Sequence, residues 1–266
     1  MSNQLTISAL KKMYQAKEKI AALTAYDASF SALVSDCGID IILVGDSLGM
    51  TIQGGHSTIP VTIEDMIYHT KCVSRPTLRA FLISDMPFMA YDNLENCLTN
   101  SAKLMRAGAQ MVKVEGGEWL AENIQKLTER GIPVCGHLGL TPQSVHHLSG
   151  YKIQGREEQK ASQIMNDALC LQQAGVDILV LECIPRSLAH QISEKLSIPT
   201  IGIGAGLDCS GQILVLHDML GITSGRKLTF MKNYMTDDTH TIQQAIKNYV
   251  SEVKQGLFPT HEHSFD

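Results

Sequence analysis

Asp46, Asp85, Glu115 and Glu182 each end an aliphatic run: Ile41-Ile42-Leu43-Val44-Gly45-Asp46-Ser47, Ala80-Phe81-Leu82-Ile83-Ser84-Asp85, Met111-Val112-Lys113-Val114-Glu115-Gly116 and Asp177-Ile178-Leu179-Val180-Leu181-Glu182. A continuous apolar run reads as a strand covered on both faces, as in a parallel sheet flanked by helices. Four such strands deliver four carboxylates to one edge. A single acid after a strand is ordinarily a helix cap or turn residue, but the repetition in successive units points to a site. Three of the acids, Asp46, Asp85 and Glu115, close consecutive strands. Three carboxylates brought together repel one another and resist ionising unless a cation lies among them. Hard oxygen ligands favour Mg²⁺ or a similar divalent ion over zinc, with open positions for water and substrate.

Side chains alternate along a strand, so Lys113 shares a face with Glu115 and sets a cation beside the acids, as a structural ion-pair partner or as a participant. Glu182 stands apart from the run of three. It is followed by Cys183 and Pro185, and an apolar setting raises a carboxylate's hold on a proton and suits it to act as a base; a structural pairing with a histidine or lysine is the alternative. His137 ends a strand between Gly136 and Gly139, where a structural histidine and a site residue read alike, and Ser47 reads equally as a helix cap.

The elements that must position these groups follow in order. An amphipathic helix over 6–16, capped by Thr6 or Ser8, is placed to plug the bottom of a barrel. Strands are expected at 20–25, 41–44, 80–85, 111–116, 133–137, 177–182, 199–204 and 213–216, and helices at 29–37, 62–73, 94–107, 118–130, 158–174, 185–196 and 239–254. The long loop from 137 to 155 carries glycine and histidine, and long loops are where function sits. Eight strands with one unit roughly every 30 residues match a (β/α)8 barrel better than an open doubly wound sheet. The strand C-terminal ends are the face that carries the active site in that architecture. With no proline-rich or charged linker, residues 1–266 read as one barrel domain with an N-terminal and a C-terminal helix.

The net charge of −5 is mild and the basic residues are scattered, which gives a nucleic acid nothing to follow and leaves a small molecule as the expected partner. No apolar run reaches the length needed to span a bilayer, and Met1-Ser2-Asn3-Gln4-Leu5 has no charged head leading an apolar segment, so the expected location is the cytoplasm. Seven cysteines without paired close spacing read as reduced thiols, mostly in the core. Gly202-Ile203-Gly204-Ala205-Gly206 lacks the spacing of a dinucleotide fingerprint and reads as tight backbone. His146-His147, His217-Asp218, His261 and His263 show no metal-like spacing and read as loop or surface residues.

Taken together, Leu43-Val44-Gly45-Asp46-Ser47-Leu48-Gly49-Met50, Asp85-Met86-Pro87-Phe88, Lys113-Val114-Glu115-Gly116-Gly117, Gly136-His137-Leu138-Gly139-Leu140-Thr141-Pro142-Gln143, Leu181-Glu182-Cys183-Ile184-Pro185 and Ile201-Gly202-Ile203-Gly204-Ala205-Gly206 closely resemble the ketopantoate hydroxymethyltransferase (3-methyl-2-oxobutanoate hydroxymethyltransferase) family, from Thr24-Ala25-Tyr26-Asp27 to the C-terminal helix. The resemblance implies a TIM barrel of the phosphoenolpyruvate/pyruvate type and the first committed step toward pantothenate. It also implies 5,10-methylenetetrahydrofolate as one-carbon donor, Mg²⁺ with a stabilised enolate, and a homo-oligomer, commonly a decamer. Position by position it implies Asp46, Asp85 and Glu115 as metal-shell acids, Asp46, Ser47, Asp85 and Lys113 as contacts to the 2-oxo acid, and Glu182 as proton acceptor. It places His137 near the substrate carboxylate. Two departures, His56 in Gly54-Gly55-His56-Ser57-Thr58 and Ser210 in Cys209-Ser210-Gly211, bear on loop closure or folate contacts. The competing enzyme is another Mg²⁺-dependent 2-oxo acid lyase or aldolase of the same barrel group, and the competing non-enzyme is a silent barrel serving assembly or metabolite binding.

Overall fold

The aliphatic runs form β1 (Ile20–Thr24), β2 (Ile41–Val44), β3 (Phe81–Asp85), β4 (Met111–Glu115), β5 (Val134–Gly139), β6 (Ile178–Glu182), β7 (Thr200–Ile203) and β8 (Gly211–Leu214), paired in chain order into a closed barrel. Every ladder is parallel. The structure is a computed structural model and describes residues 4–76, 79–223, 228–236, 238 and 241–266. The helices are α1 (Ile7–Gln15), α2 (Ala28–Asp36), α3 (Leu48–Thr51), α4 (Ile63–Ser74), α5 (Leu94–Ala107), α6 (Ala121–Thr128), α7 (Glu158–Ala174), α8 (Arg186–Lys195), α9 (Leu216–Met219) and α10 (Ile242–Lys254). The expected (β/α)8 barrel is the fold observed, with its core inside the barrel and between the strands and the helical shell. Residues 239 and 240 of the expected last helix lie outside the described residues.

Local chemistry sets the boundaries. Thr62 caps α4 through a capping box with Asp65, Asn93 caps α5, and left-handed glycines, Gly108 and Gly175, end α5 and α7. α1 lies across the N-terminal mouth of the barrel. Leu10 is buried, Lys11 pairs with Asp177 at 2.6 Å, and the Tyr14 hydroxyl donates to the Leu196 carbonyl, both partners lying just before strands. At the same end Asp40 accepts from the Ala21 amide at 3.0 Å and meets Lys254 of α10 at 2.6 Å, which ties the last helix to the first two strands.

Two expectations shift. The eighth strand begins at Gly211 rather than at 213, because Gly211 and Gln212 pair with both β1 and β7 although neither is a strand-forming residue type. Residues 204–210 join β7 to β8 without a helix, although parallel neighbours usually need a longer crossover. Polar side chains satisfy this link: Gln212 Nε2 donates to the Gly206 carbonyl, and Lys19 Nζ donates to those of Leu207 and Cys209. Ser210 exchanges hydrogen bonds with Thr200 at the start of β7. Strand starts lie opposite the site face, so Ser210 ties β7 to β8 at the end of the barrel away from the site. All seven cysteines are free thiols.

The chain turns sharply where the site strands end. Gly139 sits at φ +93°, and a Cβ there would collide with the Glu182 carbonyl across the β5–β6 ladder. Cys183 adopts φ 48°, a left-handed conformation uncommon for a residue with a Cβ, and its own carbonyl accepts from Gln154. These two positions fix where Glu182 leaves the sheet. Gly139→Ala is expected to lower the melting temperature by on the order of 5 °C, the cost of a strained φ plus displaced strand ends. Thermal unfolding followed by circular dichroism checks this, and an unchanged transition would mean that β6 yields freely.

Candidate active site

The C-terminal mouth of the barrel opens into a cavity of about 850 Å³ whose lining includes Asp46, Ser47, Asp85, Lys113, Glu115, His137 and Glu182. Every residue singled out from the sequence therefore meets in one place. Strand register does most of the work. Asp85 of β3 stands beside Lys113 of β4, Glu115 of β4 beside His137 of β5, and Gly139 of β5 beside Glu182 of β6. Opposite charges alternate around the ring.

Lys113 is the centre. Its Nζ lies 2.8 Å from Asp85 Oδ1 and 3.3 Å from Glu115 Oε1, with all three side chains buried. Asp85 Oδ2 accepts from the Asp46 amide at 3.0 Å, and Gly45 leaves room for Ser47 Oγ, which a Cβ there would meet at 2.7 Å. His137 Nδ1 faces Glu115 Oε1 at 3.1 Å and its Nε2 faces Glu182 Oε2 at 3.2 Å. The second contact has ion-pair distance without hydrogen-bond alignment, as does Asp85 Oδ1 to Lys113. The setting of Glu182 is thus polar on its His137 side rather than wholly apolar as its sequence neighbours suggest. Ser47 stands at the start of α3 without capping it, and its Oγ shares a hydrogen bond of 2.9 Å with the Tyr26 hydroxyl.

Protonation follows from burial and from these neighbours. Asp46 is pushed well above the carboxylate range by burial and by the charges of Asp85 and Glu115, so it is the acid that keeps a proton. Burial acts the same way on Glu115, but the charges of Lys113 and His137 outweigh it and hold Glu115 at about 2. Burial would strip His137 of its proton, yet Glu115 keeps it up at about 9. Lys113 is held well above its ordinary value, the pull of Asp85, Glu115 and Asp46 exceeding the cost of burial.

Sequence reasoning missed Gln143. Its amide donates to Glu115 Oε2 at 3.1 Å, its Nε2 donates to Asp46 Oδ2 at 2.8 Å and to the Met86 carbonyl, and its Oε1 accepts from Tyr91 at 2.6 Å. Only its place after Thr141-Pro142 in a quoted motif could have flagged it. His217 and Asp218, expected as loop or surface residues, are partly buried on the site face: His217 packs against Tyr26, and Asp218 lines the cavity. Strand β8 delivers them there. His56 is exposed in the loop that brings Thr58 to the cavity.

As a cation site the ring is partly assembled. Among the described residues no three His, Cys, Asp or Glu side chains form a ready-made cage. Both Glu115 oxygens are engaged by protein donors, whereas Asp85 Oδ1 is buried with no hydrogen bond. Asp85 Oδ1 has the Lys113 ammonium at 2.8 Å, and Asp46 Oδ2 accepts from Gln143, so all three expected acids are engaged by protein groups.

Comparison with known proteins gives the family and the fold. The sequence profile of the family described as Ketopantoate hydroxymethyltransferase matches residues 4–261. The 3-methyl-2-oxobutanoate hydroxymethyltransferase of Shewanella loihica is 56% identical over 263 residues, covering 99% of both chains. The enzyme of the same name from Buchnera aphidicola is 54% identical over 261 residues, covering 98% of this chain and 99% of its own. Among solved structures, a putative phosphonomutase from Burkholderia cenocepacia superposes with TM-score 0.65 at 14% identity, covering 81% of this chain and 94% of its own. A 2,3-dimethylmalate lyase of the PEP mutase/isocitrate lyase superfamily does so with TM-score 0.57 at 16% identity, covering 81% of this chain and 79% of its own. The structural likenesses speak for the fold, and the sequence matches along nearly the whole length place this chain in the ketopantoate hydroxymethyltransferase family.

Proposed function

We propose that the protein transfers a hydroxymethyl group from 5,10-methylenetetrahydrofolate to 3-methyl-2-oxobutanoate, giving 2-dehydropantoate on the way to pantothenate. The observation that carries this reading is Glu182: a carboxylate 14% exposed, opening into the cavity and backed by His137, in the same mouth as the Lys113 cluster. That is a base facing a cationic, acid-lined pocket, the pairing needed to remove a proton next to a carbonyl.

The residues fit a hard divalent cation such as Mg²⁺. Asp85 Oδ1 is a buried oxygen lacking a hydrogen bond, and Asp46 beside it holds a proton that a cation would displace. Asp46 and Asp85 would hold the ion, with Glu115 contributing negative charge close by. When bound, it supplies electrophilic polarisation of the 2-oxo acid, which makes the C3 proton acidic.

The chain's own groups do the rest. Ser47 Oγ, oriented by Tyr26, is a hydroxyl for the substrate carboxylate. Lys113 Nζ, fixed between Asp85 and Glu115, sets positive charge where the keto oxygen becomes an oxyanion. Glu182 takes the C3 proton; its Oε2 faces His137, which leaves Oε1 for the substrate. The electron pair released at C3 forms the new carbon–carbon bond to the donor's methylene carbon, water supplies the hydroxyl oxygen, and tetrahydrofolate departs. His137, held cationic by Glu115, holds the Glu182 side chain in place through the contact of its Nε2 with Oε2.

No helix among the described residues is long and apolar enough to cross a membrane, and the free thiols suit the cytoplasm. Exposed Phe88, Met89 and Trp119 offer apolar surface for a homo-oligomer of the kind the resemblance implies.

Glu182→Gln is expected to cut deuterium exchange at C3 of 3-methyl-2-oxobutanoate by roughly a thousandfold, within the range typical of general-base loss, while changing oxo acid binding little. Exchange at the parent rate would remove Glu182 from the role. Asp85→Asn is expected to weaken Mg²⁺ and oxo acid binding together by about tenfold or more, measured by titration calorimetry; unchanged metal binding would show the ion is held elsewhere. Product formation that depends on methylenetetrahydrofolate separates this reaction from a folate-independent lyase or aldolase of the same barrel type.

A further inference from the structure

The cavity has two unlike halves. The acids and Lys113 occupy the β2–β4 side, while the β6–β8 side presents Val180, Ile203 and Ile213. At about 850 Å³ the space far exceeds what a five-carbon acid fills. Above the apolar half lie the rings of Phe230 and Phe265, so close to Gly204 that a Cβ there would meet both at 3.0–3.1 Å. The result is a slot with aromatic and aliphatic surfaces, the kind of wall on which a planar heterocycle rests.

The cavity also carries charge of both signs. Asp218, in the short helix after β8, lines it, and Thr223 Oγ1 donates to its Oδ1 at 2.5 Å. Among the described residues no lysine, arginine or histidine lies within ion-pair distance of Asp218, in contrast to Asp85 and Glu115. Burial lifts its carboxyl above the ordinary range, with only the Thr223 bond opposing. Lys152 and Arg156, on the β5–β6 connection, are exposed and also line the cavity.

Resting on the proposed function, we infer that Asp218 anchors the 2-amino-4-oxopyrimidine edge of the reduced pterin donor. The exocyclic amino group and the ring N3–H of that edge are two parallel donors, spaced to meet one carboxylate as a guanidinium does. The pterin lies in the slot beside Gly204, and the donor's glutamate carboxylates reach toward Lys152 and Arg156. A carboxylate part-buried against apolar wall, with no cation within ion-pair distance among the described residues, gains from such a ligand because the paired donors replace lost solvation.

The test compares the parent enzyme with Asp218→Asn on two readouts: the KM for methylenetetrahydrofolate, and the folate-independent exchange at C3 of the oxo acid. The expected result is a folate KM raised roughly ten- to a hundredfold over any change in exchange. With a donor carrying a methyl group in place of the 2-amino group, parent and variant are expected to differ less than about threefold, since the interaction is already lost. A folate KM within about threefold of the parent, with exchange intact, overturns the role of Asp218 while leaving the proposed function standing. A parent enzyme that exchanges but forms no product with the folate donor overturns both. Lys152→Ala, an exposed change compatible with folding, gives an independent arm. It is expected to raise the KM of the glutamylated donor about threefold or more but not that of a donor ending at pteroate; equal effects on both donors overturn the orientation.

Discussion

Three carboxylates and two cations share a buried layer at the top of the barrel, and their charge balance is the condition on which the site depends. With Asp46 holding its proton, Asp85 and Glu115 face Lys113 and His137, two negative charges against two positive. Removing one member of a buried ion pair typically costs about 3–5 kcal/mol, against about 1 kcal/mol for a helix cap. The ionic layer therefore outweighs any single local preference in deciding how β3, β4 and β5 sit. Their register answers to it: Asp85 beside Lys113 and Glu115 beside His137 are cross-strand neighbours whose attraction vanishes with a slip of one residue, because a slip turns each side chain to the other face of the sheet.

Backbone geometry at the strand ends converts that layer into a directed site. The Asp46 amide donates to Asp85, which ties the first acid to the others, and the lack of a Cβ at Gly45 leaves Ser47 Oγ its place. Gly139 leaves room for the Glu182 carbonyl, and Cys183 takes a left-handed turn immediately after it. Strain at Cys183 is tolerated because its amide and carbonyl are both bonded, to Ile203 and Gln154 respectively, so the turn is held from β7 and from the β5–β6 connection. Gln143 then locks the layer from above, joining Asp46, Glu115 and Tyr91 through one side chain and its amide. Rigid support of this kind is what lets a base and an electrophilic pocket keep a fixed separation.

The strands were legible because both faces of a parallel sheet are covered, which leaves uninterrupted aliphatic runs, and the acids were legible because each interrupts such a run at its end. Lys113 stood out for the same reason, a charge inside an apolar strand. Gln143 did not: a neutral amide in a loop breaks no pattern, and its importance comes from partners distant in sequence. The start of β8 was hidden because Gln212 faces outward into a buried space that a helixless link, 204–210, must fill; a polar residue in that position looks like a loop in sequence. Asp218 was passed over because its neighbours carry no repeating signal, and only the closure of β8 against β1 brings it to the mouth. What the sequence shows is the period of each element, while the contents of the cavity depend on how the ring closes.

The asymmetry of the mouth has a physical consequence for the proposed chemistry. On the β2–β5 side the protein's charges already cancel, so an arriving oxo acid adds one uncompensated negative charge, which a divalent ion at Asp46 and Asp85 would offset as it displaces the Asp46 proton. On the β6–β8 side there is little to solvate an ion, and Val180, Ile203 and Ile213 present a surface from which water is readily expelled. Glu182 stands on the boundary between the two, with His137 on one flank and the cavity on the other. Glu182 there meets a cation on one flank and apolar wall on the other, and the electrostatic pull of Lys113 on a developing oxyanion would act across a medium of low dielectric rather than through water. A mouth lined by acids on every side would hold the cation but quench the base, and a wholly apolar one would leave both unionised; the division between halves permits proton removal and carbon–carbon bond formation in one cavity.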